Sequence, residues 1–350
     1  MSVIITGNDS LRKLRKLLVS KFKHSKVFVL TDNNTSKQCL PVFKKHIGVL
    51  PFTEIKIKSG EQNKTLATCE IIWKALLNKN ADRNTLLINL GGGTICDIGG
   101  FAASVYKRGI AFVNIPTTLL AMTDAAIGGK TSVDFLHFKN MIGSFTQPHA
   151  TVIHREFLTT LPPRHLNSGR AEILKHALIA DQSLWNLIEK DFYVTEEVLK
   201  KSITVKTKIT EKDFKEANYR KLLNFGHTIG HAIESYYLQN ELDILHGEAV
   251  AAGIFIESCL SFKNNKLSLN EIVAIGDCVF KHFPPPHVPS LKYLEKFLLA
   301  DKKNVSGKVN FTLLNKIGEA SINNTCSKQD MLDAIAIYKL EHERYYNNAS

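Results

Sequence analysis

The run Leu86-Leu87-Ile88-Asn89-Leu90 passes without a break into Gly91-Gly92-Gly93-Thr94, and no other stretch of this chain restricts its fold as much. A short apolar run without alternation reads as a strand buried on both faces, the kind found in a parallel sheet covered by helices. Glycines placed directly after such a strand let the backbone approach an anion. A helix following from about Cys96 would then present unpaired N–H groups at its positive end. The spacing is not the usual Gly-x-Gly-x-x-Gly, so two readings stand at this point, a dinucleotide-binding turn and a tight turn alone.

The flanking sequence alternates in the same α/β manner. Lys26 to Thr31 is β-branched and aromatic and ends in the turn cluster Asp32-Asn33-Asn34, and Thr53 to Lys58 alternates as a second strand. Apolar residues at helical spacing fill 64–79, Ile110 to Ile115 gives a strand that stops at Pro116, and Thr151 to His154 reads as a last strand. Gly128-Gly129-Lys130-Thr131 is similar to the end of a Walker loop, but Asp124 occupies the position of the first glycine that such a loop needs. That reading is rejected. Beyond Pro162-Pro163 the pattern is helical nearly to the end, interrupted by Pro284-Pro285-Pro286 and by the strand-like run Val309 to Leu314. A chain of 350 residues is long for one core, which predicts two domains, 1–163 and 164–350.

Composition narrows the function classes. Hydrophobic content of 44% with 22% charged residues is ordinary for a soluble globular protein. Neither a signal segment at Met1 to Ile5 nor an apolar run of about 18 residues is present, so the expectation is a cytoplasmic protein with no membrane partner. The six cysteines include no Cys-x-x-Cys pair and are expected to be reduced and structural. A net charge of +12 raises nucleic acid as a partner, yet the lysines are spread over the chain rather than gathered in a stripe. No nucleic-acid partner is expected. A basic pocket for a small anion and a merely lysine-rich surface are the two readings left.

Chemistry concentrates in Asn224-Phe225-Gly226-His227-Thr228-Ile229-Gly230-His231, where two histidines four apart share one face of a helix. Fifteen residues later His246-Gly247-Glu248 opens an Ala- and Gly-rich apolar run that reads as a buried helix, and Glu172 stands upstream in Arg170-Ala171-Glu172-Ile173-Leu174-Lys175. Two imidazoles and a carboxylate with one open position are the ligand set of a catalytic zinc. The chain carries 13 histidines and most histidines bind nothing; on spacing alone His227 and His231 are the first choice of ligand pair.

Taken together, Ser59-Gly60-Glu61-Gln62-Asn63-Lys64, Gly91 through Asp97, Lys107-Arg108-Gly109, Pro116-Thr117-Thr118-Leu119-Leu120, Asp124 through Thr131, Lys139-Asn140, Glu172 with Lys175, the 224–231 stretch, His246-Gly247-Glu248 and Asp301-Lys302-Lys303 resemble the 3-dehydroquinate synthase family. The resemblance runs from about residue 25 to 320. It implies an α/β fold with an N-terminal Rossmann-like NAD-binding domain, a mostly α-helical C-terminal metal- and substrate-binding domain, one divalent metal (zinc or cobalt), an active site between the domains and a homodimer.

Residue by residue, the resemblance makes Glu172, His227 and His246 the metal ligands and turns His231 into a substrate-facing group, replacing half of the pair chosen on spacing. NAD falls to Ser59, Gly60, Glu61, Gln62, Asn63, Lys64, Gly92, Gly93, Thr94, Ile95, Cys96, Asp97, Thr117, Thr118, Phe157, Leu158, Thr159 and Thr160. Lys130 and Lys139 stand at the nicotinamide end, and Asp32 is the candidate partner of the adenosine ribose. Around an anionic sugar-phosphate substrate stand Arg108, Lys130, Asn140, Lys175, Lys206, Arg220, Asn224, His231 and Lys303 or its neighbour Lys302, with Arg108 reaching across from the partner subunit. Asp124 and Glu216 take acidic positions that contact hydroxyls or orient the cations.

The implied reaction converts 3-deoxy-D-arabino-heptulosonate 7-phosphate to 3-dehydroquinate and phosphate, by transient oxidation at C5, β-elimination, re-reduction and intramolecular aldol closure. The rivals are another sugar-phosphate cyclase, such as 2-epi-5-epi-valiolone synthase, and a metal-dependent alcohol or glycerol dehydrogenase. This chain departs from the family pattern at Pro163 and His165 of Leu161-Pro162-Pro163-Arg164-His165-Leu166, at Arg170 beside Glu172, and at Phe214 after Asp213.

Overall fold

Runs of Val, Ile, Leu and Phe too short for helices become the strands of one sheet in the first half of the chain. The computed structural model describes residues 2–136, 138–264, 266–299 and 309–349, and it divides the chain into two units, Met1–Leu166 and Asn167–Ser350. In the first unit the strands are β1 (Val3–Ile5), β2 (Val27–Asp32), β3 (Thr53–Ile57), β4 (Leu86–Gly91) and β5 (Ala111–Pro116), followed by the hairpin β6 (Lys130–Phe135) and β7 (Phe138–Phe145) and by β8 (Ala150–Val152). The six-stranded sheet has the order β1-β8-β5-β4-β2-β3, with every pairing parallel. All six residues of β4 are buried, as a central strand covered on both faces requires.

Helices α1 (Ser10–Lys21), α2 (Asn33–Gln38), α3 (Leu40–Ile47), α4 (Leu66–Asn78) and α5 (Gly93–Val105) connect these strands. Leu30, Ile57, Ile72, Leu87, Ile98 and Phe112 from sheet and helices share one buried cluster. The chain leaves β2 to one side for β3 and returns to the other side for β4, so the strand order reverses between β2 and β4. Ligands of open α/β sheets settle in the crevice at the carboxyl ends of strands on either side of such a reversal. Here those ends are Asp32 and Gly91.

Two features of the first unit differ from the sequence expectation. Helix α5 begins at Gly93 with Gly92 as its N-cap, earlier than the expected start near Cys96, so the glycines form the helix entry and not a separate loop. The segment rejected as a Walker loop is a turn, with φ of +97° at Gly128 and +69° at Gly129, leading into β6. This antiparallel hairpin (Lys130 opposite Phe145) and the edge strand β1 were not expected.

The second unit contains α6 (Pro163–Ala180, its first turn preceding the division), α7 (Gln182–Ile188), α8 (Glu196–Lys212), α9 (His227–Gln239), α10 (His246–Lys263), α11 (Leu269–His282) and α12 (Leu291–Leu299). The antiparallel pair β9 (Phe311–Lys316) and β10 (Glu319–Asn324) follows, then α13 (Lys328–Ala349). Helix α10 is buried nearly all round, from Ala249 through Ser261, so it serves as the central helix of this unit. Among the described residues no helix is long and apolar enough to cross a membrane. All six cysteines are free, and five of them are buried. Lys302 and Lys303 lie outside the described residues.

Candidate functional site

In the second unit three helices bring Glu172, His227 and His246 to one point. Glu172, on α6, is fully buried; it gives one oxygen, Oε2, to the ammonium of Lys175 one helical turn on. Its other oxygen, Oε1, is buried without a hydrogen-bond partner among the described residues and faces His227 Nε2 at 3.3 Å and His246 Nε2 at 3.4 Å. Tetrahedral coordination with bonds of about 2.0–2.2 Å separates neighbouring donor atoms by about 3.3–3.6 Å. Both spacings from Glu172 Oε1 fall in that range.

Each imidazole is held from behind. His227 Nδ1 is 3.0 Å from the carbonyl of Phe225, and His246 Nδ1 is 3.2 Å from Glu234 Oε2. In the neutral imidazoles, with the ring proton on Nδ1 donating to these oxygens, Nε2 would present a lone pair toward Glu172, which is how acceptors behind a metal-binding histidine fix its tautomer. Burial disfavours the charged carboxylate of Glu172, but Lys175 and His227 outweigh it and hold the group well below the usual carboxylate range. Burial and the Lys175 cation depress His227. At His246 burial acts in the same direction, yet Glu234 and Glu172 overcome it and push the imidazole up to about 10.

Backbone geometry explains why the ligands converge. Gly226 caps α9 with φ of +76°, a left-handed conformation that costs little only without a Cβ. The N–H groups of Gly226 and Ile229 donate to the carboxylate of Glu257 at 2.7 and 2.9 Å. Glu257 thus caps the helix that begins at His227 from inside the apolar α10. Gly247, next to His246, sits so close to α6 that an added Cβ would lie 2.1 Å from the carbonyl oxygen of Ser168, one turn before Glu172. His231, one turn beyond His227, keeps its ring centroid 5.1 Å from that ring and 5.8 Å from His246, and the three histidines offer nitrogens within 4.8 Å of one another. His231 is solvent-exposed whereas Glu172 is fully buried, which suits a substrate-facing group.

Three cations of the expected substrate ring are nearly fully buried, Lys175 at 1%, Lys206 at 5% and Arg220 at 2% exposure. Arg220 closes a loop whose organiser is Asp213. That carboxylate accepts the N–H groups of Ala217, Asn218 and Arg220, while the Arg220 guanidinium donates to the Phe214 carbonyl at 2.8 Å. Glu216 holds a left-handed φ of +58° in the same loop, and Asn224 ends the 3-10 turn Tyr219–Asn224. Arg170, the charge beside Glu172, is two residues away and therefore on another face of α6. Its guanidinium lies 5.7 Å from the Phe192 ring and donates to Asn167.

In the first unit Lys64 ties three of the expected cofactor and substrate segments together. Its ammonium, 3% exposed, lies 2.6 Å from Asp97 Oδ2 and 2.6 Å from Asn140 Oδ1, with Glu61 Oε1 at 3.7 Å. Thr94 Oγ1 donates to Glu61 Oε2 at 2.5 Å. Asn140 adopts φ of +53°, its N–H donating to Asp134 at 2.7 Å and its Oδ1 also accepting from Ser132. Burial lowers the Lys64 ammonium, but Asp97 and Glu61 outweigh it and raise the group overall. Burial pushes Asp97 up to about 6 despite Lys64.

The other first-unit positions surround the carboxyl ends of the strands or stand apart from them. Thr117 N–H donates to the Gly91 carbonyl at 2.9 Å, and an added Cβ on Gly92 would lie 3.1 Å from the Thr118 methyl. Asp124 lies in the π-helical turn Ala121–Ala125. Phe157, Leu158, Thr159 and Thr160 share the 3-10 segment Arg155–Thr160, with Phe157 buried. Asp32 already has a structural role, since its Oδ1 accepts the N–H groups of Asn34 and Thr35, both at 2.8 Å, and caps α2. Ser59 accepts from Asn63 through its carbonyl, Gly60 takes φ of +106°, and Gln62 is exposed. Lys130, Lys139 and Arg108 are exposed, Arg108 in a left-handed turn with φ of +67°. No hydrogen bond or ion pair among the described residues joins Asp32 or Arg108 to the Lys64 network.

Solved structures share this architecture. The 2-epi-5-epi-valiolone synthase of Streptomyces hygroscopicus subsp. jinggangensis 5008, with NAD+ and Zn2+ bound, superposes with a TM-score of 0.83 at 26% identity over 97% of both chains. A 2-deoxy-scyllo-inosose synthase complexed with carbaglucose-6-phosphate, NAD+ and Co2+ gives 0.83 at 22% identity over 95% of both, a likeness of fold. The fold is that of the sugar-phosphate cyclase class.

Within that class sequence decides. Family models described as 3-dehydroquinate synthase N-terminal and C-terminal match residues 54–168 and 169–304, and the 3-dehydroquinate synthase of Parabacteroides distasonis is 39% identical over 344 residues, covering 96% of this chain and 97% of that one. The chain belongs to the 3-dehydroquinate synthase family, and neither the other cyclases nor a dehydrogenase is favoured.

Proposed function

We propose that this chain converts 3-deoxy-D-arabino-heptulosonate 7-phosphate to 3-dehydroquinate and phosphate, using NAD and one divalent metal, zinc or cobalt, as a step of aromatic biosynthesis. The observation that carries the proposal is the convergence of His227 Nε2 and His246 Nε2 on one fully buried Glu172 oxygen. These three residues would hold the metal, and the segments around Lys64, Gly92, Asp97, Thr117, Thr118 and Phe157 to Thr160 would hold NAD. When bound, NAD accepts and returns the C5 hydride and the metal acidifies the C5 hydroxyl.

The chain's own residues supply the rest. Lys175 occupies one Glu172 oxygen and so directs the other toward the histidines. Phe225 and Glu234 hold the imidazole protons on Nδ1. Lys206 and Arg220, with Asn224 beside them in sequence, would bind the anionic groups of the substrate, because buried cations are stabilised by an anion that satisfies them; Arg108, Lys130 and Asn140 are the substrate residues this reading proposes in the first unit. His231, near the proposed metal ligands and open to solvent, would exchange protons with substrate oxygens. Asp124 and Glu216 would orient hydroxyls or cations. A cytoplasmic homodimer is the setting this reading carries with it, and sedimentation of the purified protein tests the dimer.

The deciding experiment supplies the heptulosonate phosphate with catalytic NAD. Release of one phosphate per substrate without accumulation of NADH supports the proposal; NADH growing in proportion to product would replace it with a dehydrogenase.

A further inference from the structure

A second group with metal-ligand chemistry lies wholly within the first unit, where His46, His154 and Glu156 each offer a ligand atom within 4.8 Å of the others. His46 ends in the last turn of α3, His154 follows β8, and Glu156 is in the 3-10 segment after it. Both imidazoles meet one carboxylate oxygen. His46 Nε2 is 3.1 Å and His154 Nε2 is 3.2 Å from Glu156 Oε2, against 3.3 and 3.4 Å for the two histidines around Glu172 Oε1. The donor types match, and the spacings agree to about 0.2 Å, close to the separation of donors around a tetrahedral ion.

The supporting shell is present as well. His154 is 3% exposed, and its Nδ1 is 3.0 Å from the hydroxyl of Ser10, a residue buried completely. With the ring proton on Nδ1 donating to Ser10, His154 Nε2 turns a lone pair toward Glu156, the same tautomer logic that Glu234 imposes on His246. The His46 and Glu156 side chains are 20% and 40% exposed, so an ion and its remaining water ligands can reach the site. The rings of His46 and His154 meet edge to face with centroids 5.1 Å apart.

The ordinary alternative is a hydrogen-bonded acid and base cluster on the surface. It requires a proton on each Nε2 to satisfy the shared oxygen, with His154 Nδ1 then accepting from the Ser10 hydroxyl. One divalent cation satisfies all three donors at once. We propose that His46, His154 and Glu156 form a second, solvent-accessible site for a transition metal of the zinc and cobalt class. Imidazole donors favour such ions over magnesium and calcium, which prefer all-oxygen surroundings. Bound there, the ion clips α3 to the segment that begins at Arg155, and it stabilises the folded unit by mass action.

Counting tight sites tests this on the whole protein, stripped with a chelator and titrated with zinc against a chromophoric competitor. The wild type is expected to take two zinc ions per chain, His46→Ala one, Glu156→Gln one, Glu172→Gln one, and His46→Ala combined with Glu172→Gln none. Half-buried His46 and exposed Glu156 are chosen because a His154 variant disturbs a buried ring, and a melt without zinc checks that His46→Ala folds as the wild type does. Zinc should raise the melting temperature of Glu172→Gln but not that of the double variant, and magnesium should raise neither. One ion in the wild type that disappears in Glu172→Gln and persists in His46→Ala overturns the second site while leaving the proposed catalytic metal intact. One ion that disappears in His46→Ala and persists in Glu172→Gln sustains the second site and removes Glu172 from the ligand set instead. An unchanged count of two in both His46→Ala and Glu156→Gln also overturns it.

Discussion

Glu257→Ala probes the least visible support of the metal ligands. The Glu257 carboxylate is fully buried and accepts two backbone N–H groups, Gly226 at 2.7 Å and Ile229 at 2.9 Å. A hydrogen bond to a charged group is worth about 1.5–3 kcal/mol, and a buried donor deprived of its acceptor loses about that much again in desolvation only if no water reaches it. Two lost bonds therefore cost about 3–6 kcal/mol, before any contribution from the cavity that alanine leaves. For a unit of this size each kcal/mol moves the melting temperature by about 2–4 °C, so the variant should melt about 6–24 °C below the wild type. Glu257→Gln retains one acceptor oxygen and should lose about half as much. Because His227 is the first residue of α9, the disturbed cap should also weaken zinc binding by about 10–100-fold. Circular dichroism melts and zinc competition measure the two effects. Variants that melt within about 1 °C of the wild type would refute the stability estimate, and a lower melting temperature with unchanged zinc affinity would show that the cap does not position His227.

Four further outcomes are expected. Glu172→Gln should largely abolish turnover and remove the ion bound at His227 and His246, since an amide is a poor substitute for an anionic ligand; elemental analysis of the variant, read beside His46→Ala to separate the two proposed sites, decides it. Glu234→Gln should lower metal affinity about 10–100-fold while leaving the melting temperature of the metal-free protein much less affected, as zinc titration and a melt will show. Arg220→Ala should raise the KM for the heptulosonate phosphate far more than that for NAD in steady-state kinetics; equal increases would make its role structural. Asp97 is held at about 6, above the ordinary 3.8, so the folded protein binds its proton more tightly than the unfolded chain. The associated stability is present at low pH and is lost as pH rises from about 4 through 6, so denaturant unfolding should show this decline in the wild type and not in Asp97→Asn.

The parallel sheet was legible because its strands are announced by composition. β4 has every residue buried, and a strand covered on both faces needs apolar residues without alternation. The β6–β7 hairpin was not legible for the converse reason. It carries Lys130, Thr131, Ser132, Asp134, Lys139 and Asn140 among its apolar residues, and its register is set by pairing Lys130 with Phe145, a long-range fact that no local pattern encodes. β1 is three residues long, too short for periodicity to register. Spacing alone located α9 and put His227 and His231 on one face, which the 5.1 Å ring separation bears out. It could not choose between His231 and His246 as a partner for Glu172, because that choice depends on α6, α9 and α10 meeting.

The residues that hold the ligands in place were the hardest to find, and the reason is physical. A ligand set is recognisable by type, whereas its supports are ordinary carboxylates whose importance lies only in what they face. Glu234 is one acid on α9, seven residues after His227; nothing local shows that it accepts from His246. Glu257 did leave a signal. It is an ionisable residue amid Ala249 to Leu260, all otherwise apolar or small, in a helix buried on every side, and a charge in such a position is stable only if several donors converge on it. Asking which backbone N–H groups in the chain lack an acceptor leads from that lone carboxylate to the start of a neighbouring helix, where Gly226 and Ile229 supply them. The same question applied to Ser10, a fully buried hydroxyl in the first turn of α1, leads to His154 Nδ1. Both proposed ligand sets are therefore traceable from a buried polar residue, Glu257 in one case and Ser10 in the other.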